Sequence, residues 1–319
     1  MLHLLFTGGT ISMQRDERAG GNVPAHGGAA LVGFAPELAA VGPYVIEDWG
    51  RYPACHLGLD KLWALRDRVA ALQRGEGLDA VPDGIVITHG TDTLEETAYL
   101  LSRTLDPSVP VVITGAMRTS DDAGWDGPRN LADAARVAAS PSSPGRGAMV
   151  VFNGEILAGH QAVKVEATAL AAFAAPHAAP IGTIRHGQVE FAGPPQASTP
   201  PLRPAGLGAR IAHIPMVIGD TGQLLELARA THDGVVIDAF GSGNLPPGAV
   251  PAIQRWLADG KPVVLASRCA RGVVTPAYAF PGGGAGLVRD GVIPAGPRTP
   301  GQACMELTIS LSAGIEYGG

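Results

Sequence analysis

The sequence predicts an α/β protein with a larger N-terminal domain on a mostly parallel sheet and a smaller C-terminal α/β domain. Three observations carry this. Short apolar runs of strand length alternate with longer segments of helical period, the pattern that βαβ units leave in a sequence. A proline-rich stretch interrupts the pattern after residue 192. The alternation then resumes towards the end of the chain.

Leu2 to Phe6, Ile85 to Thr88, Val111 to Thr114 and Met149 to Phe152 are continuous apolar runs, as expected of strands buried on both faces. Between them, Leu59, Leu62, Trp63, Val69 and Leu72 mark one helix face, and Gly75 ends that helix. Leu94, Ala98 and Leu101 mark a second helix, and Asn130 to Ala139 forms a third. Thr183 to Phe191, centred on His186-Gly187, has the form of a β-hairpin. From Gly193 to Gly208 the chain carries Pro194, Pro195, Pro200, Pro201 and Pro204, which suits an extended linker. Beyond it follow a helix at Leu224 to Ala230, a strand at Val235 to Ile237, a helix at Ala249 to Leu257, a strand at Val263 to Ala266 and a final helix from Gln302 to Ser312. The expected organisation is therefore a larger α/β domain over 1–192, a linker over 193–208 and a smaller α/β domain over 209–319.

Composition narrows the class of function. Hydrophobic residues at 46% against 16% charged are enough to build a large core. A net charge of −6 argues against nucleic acid or anionic lipid as partners. Cys55, Cys269 and Cys304 are an odd set without paired spacing, so neither a disulfide framework nor a zinc site is expected. Met1 leads directly into Leu2-His3-Leu4, without a basic leader region, and the longest apolar stretch, Ala167 to Ala175, is far too short to span a membrane. A cytoplasmic enzyme with no membrane association is expected.

Ligands of open α/β sheets sit beyond the carboxyl ends of the strands, and three segments there carry polar groups that a plain turn does not need. Thr7-Gly8-Gly9-Thr10-Ile11-Ser12 follows the first strand, its glycines allowing close backbone approach beside the Thr10 hydroxyl. By itself such a segment reads first as a tight strand-to-loop turn, and it contains neither a dinucleotide nor a P-loop fingerprint. Thr88-His89-Gly90-Thr91-Asp92-Thr93-Leu94-Glu95-Glu96 follows a buried strand and starts a helix. Thr93 and Glu96 have the spacing of a capping box, which leaves Thr91 and Asp92 unassigned, while His89 suits a hydrogen-bonded structural histidine. Lys164 is one of only three lysines, with Lys61 and Lys261, against 20 arginines. A lysine amine, unlike a guanidinium, is able to give up its proton when desolvated, though a surface lysine is the plainer reading.

Taken together and in order, these segments resemble the bacterial-type L-asparaginases and related glutaminases. Val112-Ile113-Thr114-Gly115-Ala116-Met117-Arg118, Asp126-Gly127-Pro128-Arg129-Asn130-Leu131 and Gly241-Ser242-Gly243-Asn244-Leu245 continue the match, which spans essentially the whole chain. The resemblance implies hydrolysis of L-asparagine to L-aspartate and ammonia, with Thr10 as nucleophile and Thr91, Asp92 and Lys164 completing the catalytic group. It implies substrate binding at Gly9, Ala54, Cys55, Gly90, Asp92 and Asn244, with backbone N–H groups beside Gly9, Gly90 and Thr91 facing the oxyanion. It implies no metal or organic cofactor, and a homodimer or homotetramer.

The departures from the family pattern bear on specificity. Many members place a tyrosine in the loop after the first signature, but no tyrosine occurs here between Thr10 and Tyr44. Many have a serine followed by a polar residue where this chain has Ala54 and Cys55. Some supply a glutamate from a neighbouring subunit, whereas 276–286 holds no acidic residue and Tyr278 stands near that place. Three readings follow: an asparaginase of modest affinity, an amidohydrolase of the same mechanism acting on another small amide such as glutamine or an N-substituted asparagine, and a non-catalytic amino-acid-binding paralogue. The joint presence of Thr10, Thr91, Asp92 and Lys164 favours catalysis.

Overall fold

The computed structural model describes residues 1–195 and 199–318, so residues 196–198 of the expected linker lie outside the described residues. The chain divides into two compact units, Met1–Pro201 and Leu202–Gly319, a division that falls within 193–208. The first unit comprises β1 (Leu2–Gly8), β2 (Met13–Asp16), β3 (Gly21–Pro24), α1 (Gly28–Gly33), β4 (Tyr44–Tyr52), α2 (Leu59–Gln73), β5 (Gly84–Thr88), α3 (Leu94–Thr104), β6 (Val111–Thr114), α4 (Gly127–Ala139), β7 (Ala148–Phe152), β8 (Glu155–Ala158), β9 (Val163–Lys164), β10 (Phe173–Ala174), β11 (Gly182–Arg185) and β12 (Gln188–Phe191). The second comprises β13 (Ile211–Pro215), α5 (Gln223–Arg229), β14 (Gly234–Ala239), α6 (Val250–Ala258), β15 (Val263–Ser267), α7 (Gly284–Arg289), β16 (Ile293–Pro294) and α8 (Pro300–Ser312).

The main sheet of the first unit has the order β12-β11-β8-β7-β6-β5-β1-β4. From β4 to β7 the strands are parallel, and β8, β11 and β12 are added antiparallel at the far edge. Period-two alternation divides its side chains between two cores. Leu5, Ile85, Ile87, Val111, Ile113 and Val150 pack with Leu65, Val69 and Leu72 of α2 and with Leu94, Ala98 and Leu101 of α3. Leu4, Phe6, Val86, Val112 and Val151 pack on the other side with Leu31 of α1 and with Leu131, Ala134, Ala135 and Val137 of α4. Both faces of the strands are covered, so their sequences are continuously apolar. Leu59 departs from the expected face of α2, standing exposed at its first turn.

Topology places the site. The chain runs from β1 to the edge strand β4, then crosses back to β5 on the other side of β1. That reversal makes the carboxyl ends of β1 and β5 the switch point of the sheet, where open α/β folds leave a crevice.

The hairpin β11–β12 turns at His186 and Gly187, both at positive φ (49° and 74°), as a two-residue primed turn requires. The segment after the first signature is also ordered as a hairpin, with β2 and β3 paired antiparallel from Met13↔Pro24 to Asp16↔Gly21.

In the second unit β13-β14-β15-β16 form a parallel sheet. Ile214, Val235, Ile237 and Leu265 pack with Leu225, Ile253 and Trp256 from α5 and α6, while Val236 and Val264 pack with Ala303 and Leu307 of α8. Helix α8 starts before the expected Gln302 because Thr299 caps it. The Thr299 hydroxyl accepts from the Gln302 N–H at 3.3 Å, the Gln302 side chain accepts from the Thr299 N–H at 3.1 Å, and Pro300 occupies the first helical position. Among the described residues no helix is long and apolar enough to cross a membrane.

Candidate active site

Two glycines shape the end of β1. The Thr7 hydroxyl donates to the Thr88 carbonyl at 2.8 Å, tying β1 to β5 where both strands end. Gly9 then takes φ 83° and ψ −178°, a conformation open in practice to glycine alone. A Cβ at Gly9 would stand 2.4 Å from both N and Cα of Gly90, so the two signature segments meet backbone to backbone. The Gly9 N–H donates to the Tyr52 carbonyl at 3.1 Å, and its carbonyl accepts from the N–H and hydroxyl of Ser12 at 2.9 and 2.8 Å. Thr10, half-buried, begins the short 3₁₀ turn Thr10–Ser12 directly beside this contact. Gly9→Ala is expected to cost about 3 kcal/mol or more from backbone strain and overpacking together. A lowered thermal midpoint by circular dichroism is the outcome to check; an unchanged midpoint would contradict this packing.

On the β5 side, Thr91 is buried and Asp92 is exposed (66% of its side chain). Lys164 reaches them from β9: its Nζ donates to Thr91 Oγ1 at 2.9 Å and to Asp92 Oδ1 at 3.1 Å, with 18% of the lysine side chain exposed. Strand β9 pairs with β10 in its own two-stranded sheet, with Lys164 opposite Phe173. The β5 end therefore carries a hydroxyl, a carboxylate and an amine in mutual hydrogen bonding, and the Gly9–Gly90 contact brings Thr10 alongside.

His89 is fully buried, and desolvation holds its imidazole down at about 4, so it is neutral at pH 7. Its Nδ1 lies 2.8 Å from the Gly90 carbonyl, which only accepts, so Nδ1 carries the proton and Nε2 accepts from the Thr97 hydroxyl at 3.0 Å. The histidine thus holds the loop shape from beneath.

The Thr93–Glu96 capping box does not form. Thr93 occupies the N-cap position, but its hydroxyl donates to the Ala54 carbonyl at 3.2 Å. One oxygen of Glu96 is buried without a partner, and burial together with neighbouring Glu95 pushes its carboxyl up to about 7. A long-range bond between the two site loops has displaced the local one.

Ala54 begins the 3₁₀ turn Ala54–His56, is 4% exposed, and would stand 2.7 Å from a Cβ at Gly90, so its methyl group packs onto the same loop. Cys55 beside it is exposed and free. Asn244 lies in the second unit, after β14: its N–H donates to the Phe240 carbonyl at 3.0 Å and its side-chain oxygen accepts from Gly284 at 3.4 Å. Beside Gly9, its own N–H is committed to Tyr52, whereas among the described residues the N–H groups of Thr10, Gly90 and Thr91 have no protein acceptor.

One residue escaped the sequence reading. Glu95 Oε2 accepts from the backbone N–H of Lys164 at 2.5 Å, across 69 residues of chain. Its acidic character in the first turn of a helix was visible, but nothing in the sequence pointed to this partner.

Comparisons with known proteins show the family. Residues 1–197 match the family model described as "Asparaginase, N-terminal", and residues 210–317 match the "Glutaminase/Asparaginase C-terminal domain". The chain is 37% identical to a protein of Deinococcus radiodurans described as "Probable L-asparaginase", over 98% of this chain and 93% of that one. It is 29% identical to an L-asparaginase of Bacillus licheniformis, over 97% and 95% of the two chains. A crystal structure of a "Probable Cytoplasmic L-asparaginase" from Campylobacter jejuni superposes with a TM-score of 0.84 at 28% identity, covering 98% of this chain and 94% of that one.

Proposed function

The chain belongs to the asparaginase family, and from that premise we propose that it is an amidohydrolase that converts L-asparagine to L-aspartate and ammonia through an acyl-enzyme on Thr10. The observation that carries this is the bonded group of Lys164, Thr91 and Asp92 at the switch point, with Thr10 beside it across the Gly9–Gly90 contact. The Thr10 oxygen attacks the amide carbonyl, its hydroxyl proton passes to the departing nitrogen, and the C–N bond breaks to release ammonia and leave an ester on Thr10. Water then attacks the ester, with the Lys164 amine taking up its proton through the Thr91 hydroxyl; the acyl C–O bond to Thr10 breaks, and the Thr10 oxygen regains a proton as aspartate leaves. The N–H groups of Thr10, Gly90 and Thr91 meet the developing oxyanion, each such donor typically contributing about 3 kcal/mol. Asp92, exposed towards solvent, receives the α-ammonium group of the substrate. We assign Asn244 to substrate binding on its matching motif alone, and infer a homo-oligomer working in the cytoplasm. Ammonia release measured on L-Asn, D-Asn, L-Gln and N-substituted amides tests the proposal; no turnover of any of them would overturn it.

Ala54 and Cys55 favour a second reading, in which the preferred amide has a less polar head than free asparagine. By the family pattern, this alanine and cysteine stand where many relatives have a serine followed by a polar residue to hold the α-carboxylate and amine. Each charge-assisted hydrogen bond lost there is worth about 1.5–3 kcal/mol, roughly one to two orders of magnitude in affinity. Ala54→Ser is expected to raise kcat/KM for L-Asn by about tenfold and to change it little for amides without an α-carboxylate. An equal change for both substrate types, or none for either, would place the α-carboxylate elsewhere.

A further inference from the structure

We propose that Glu95 is a positioning residue for this amidase: its carboxylate fixes the main chain at Lys164, and through it the place of the lysine amine against Thr91 and Asp92. The proposal rests on the assignment of Lys164 as the proton-handling amine. Glu95 lies in the first turn of α3, three residues after Asp92 and four after Thr91. Its Oε2 accepts from the Lys164 N–H at 2.5 Å, while the Nζ of the same lysine returns to Thr91 and Asp92 at 2.9 and 3.1 Å. Two bridges thus join one short stretch of α3 and its preceding loop to a single residue, one through the backbone of that residue and one through its side-chain tip.

Strand β9 is two residues long and, among the described residues, pairs with β10 outside the main sheet, while Ala162, Ala172 and Phe173 beside it enter the core that holds Leu94, Ala98 and Leu101 of α3. The bonds next in sequence, Val165 N–H and Glu166 N–H to the Ala172 carbonyl at 2.8 and 3.3 Å, fix β9 to its hairpin partner and not to α3. Apolar packing brings this hairpin against α3, and the bond from Glu95 adds a directional polar tie from the first turn of α3 to the backbone of Lys164 itself. A carboxylate is the strong acceptor for that purpose, and displacement of a reacting group by about 1 Å costs about a hundredfold in rate.

A role in the helix dipole alone does not account for Glu95. The dipole favours an acid anywhere in the first turn and specifies no partner for it. Here burial pushes the Glu95 carboxyl above its ordinary value, opposed only by the Lys164 N–H and the Lys164 charge. The residue stays where desolvation disfavours its ionised form, and the bond it makes there is to Lys164.

The test uses side-chain length and the small number of lysines. With lysine labelled by nitrogen-15, Lys61, Lys164 and Lys261 give three backbone amide signals, and Lys164→Arg assigns the one that disappears. In the wild type the Lys164 amide proton is expected far downfield, as a short bond to a carboxylate demands. Glu95→Ala and Glu95→Asp should return it to the ordinary range, the aspartate being too short to reach. Glu95→Gln keeps an acceptor oxygen at the right distance and should keep much of the displacement. In steady-state assays on the best amide, the alanine and aspartate variants should lose about tenfold to a hundredfold in kcat with KM changed less than about threefold, and glutamine should restore kcat to within about threefold. A wild-type kcat in Glu95→Ala, a glutamine variant as impaired as alanine, or an undisplaced Lys164 signal in the wild type would each overturn the proposal. The amide signal does not depend on turnover, so failure of the amidase reading itself would appear separately, as an inactive wild type or an active Thr10→Ala.

Discussion

Thr10→Ala is expected to fold as the wild type does and to lose about four orders of magnitude or more in kcat on the best amide substrate, the scale seen when a covalent nucleophile is removed. The fold should survive because Thr10 is half-buried and, among the described residues, its hydroxyl makes no hydrogen bond within the protein. The backbone beside it is held by other groups: Gly9 by Tyr52 and Ser12, and Thr7 by Thr88. Loss of one hydroxyl and one methyl group at such a place changes stability by about 1 kcal/mol or less. The chemistry should not survive, because the ester that divides amide hydrolysis into two easier steps is no longer able to form. Thr10→Ser restores a nucleophilic oxygen and should recover a measurable part of the rate. Ammonia release at saturating substrate, read beside thermal unfolding, checks both halves. Turnover within tenfold of wild type in a folded Thr10→Ala protein would remove Thr10 from the mechanism.

What the sequence disclosed follows from where each element sits. Strands β1, β5, β6 and β7 are covered on both faces, so their runs are unbroken and were legible at once. Helix α3 was legible because Leu94, Ala98 and Leu101 all enter one core. Strand β4, Tyr44–Tyr52, was not, because it lies at the sheet edge with most of its residues only half-buried, and its composition is correspondingly mixed. The hairpin β2–β3 is exposed and polar, so period-two patterning is weak there too. Short-range motifs pointed to Thr10, Thr91 and Asp92 and the family pattern to Lys164, and the structure joins Lys164 to Thr91 and Asp92. They misassigned Thr93 and Glu96, whose spacing satisfies a local rule that the Ala54 carbonyl overrides. They gave no sign of Glu95, because its partner is fixed by the fold and not by spacing. Glycines announced close approach, but only the structure shows that Gly9 approaches Gly90.

Lys164→Arg and Lys164→Ala should be almost equally damaging, each lowering kcat by about a hundredfold to ten-thousandfold, the range typical of a lost general base. The lysine amine lies within hydrogen-bond distance of both Thr91 Oγ1 and Asp92 Oδ1, so a proton from water has a two-bond route to it. An arginine in this place keeps the positive charge and the ion pair with Asp92, but a guanidinium does not give up its proton in a protein and so has no lone pair to accept another. Charge alone would make arginine a good replacement and alanine a poor one; proton transfer makes both poor. The Michaelis constant separates the two roles further. Asp92 has most of its side chain exposed, and removing Lys164 frees that carboxylate to pair with the ammonium group of the substrate. KM for L-Asn should therefore stay level or fall in Lys164→Ala while kcat collapses, the pattern of an interaction made in the transition state and not in the ground state. Steady-state constants for the two variants on L-Asn decide the matter. If arginine retained kcat within about tenfold of lysine while alanine did not, Lys164 would be an electrostatic partner of Asp92, and the base that activates water would have to be sought elsewhere around Thr91.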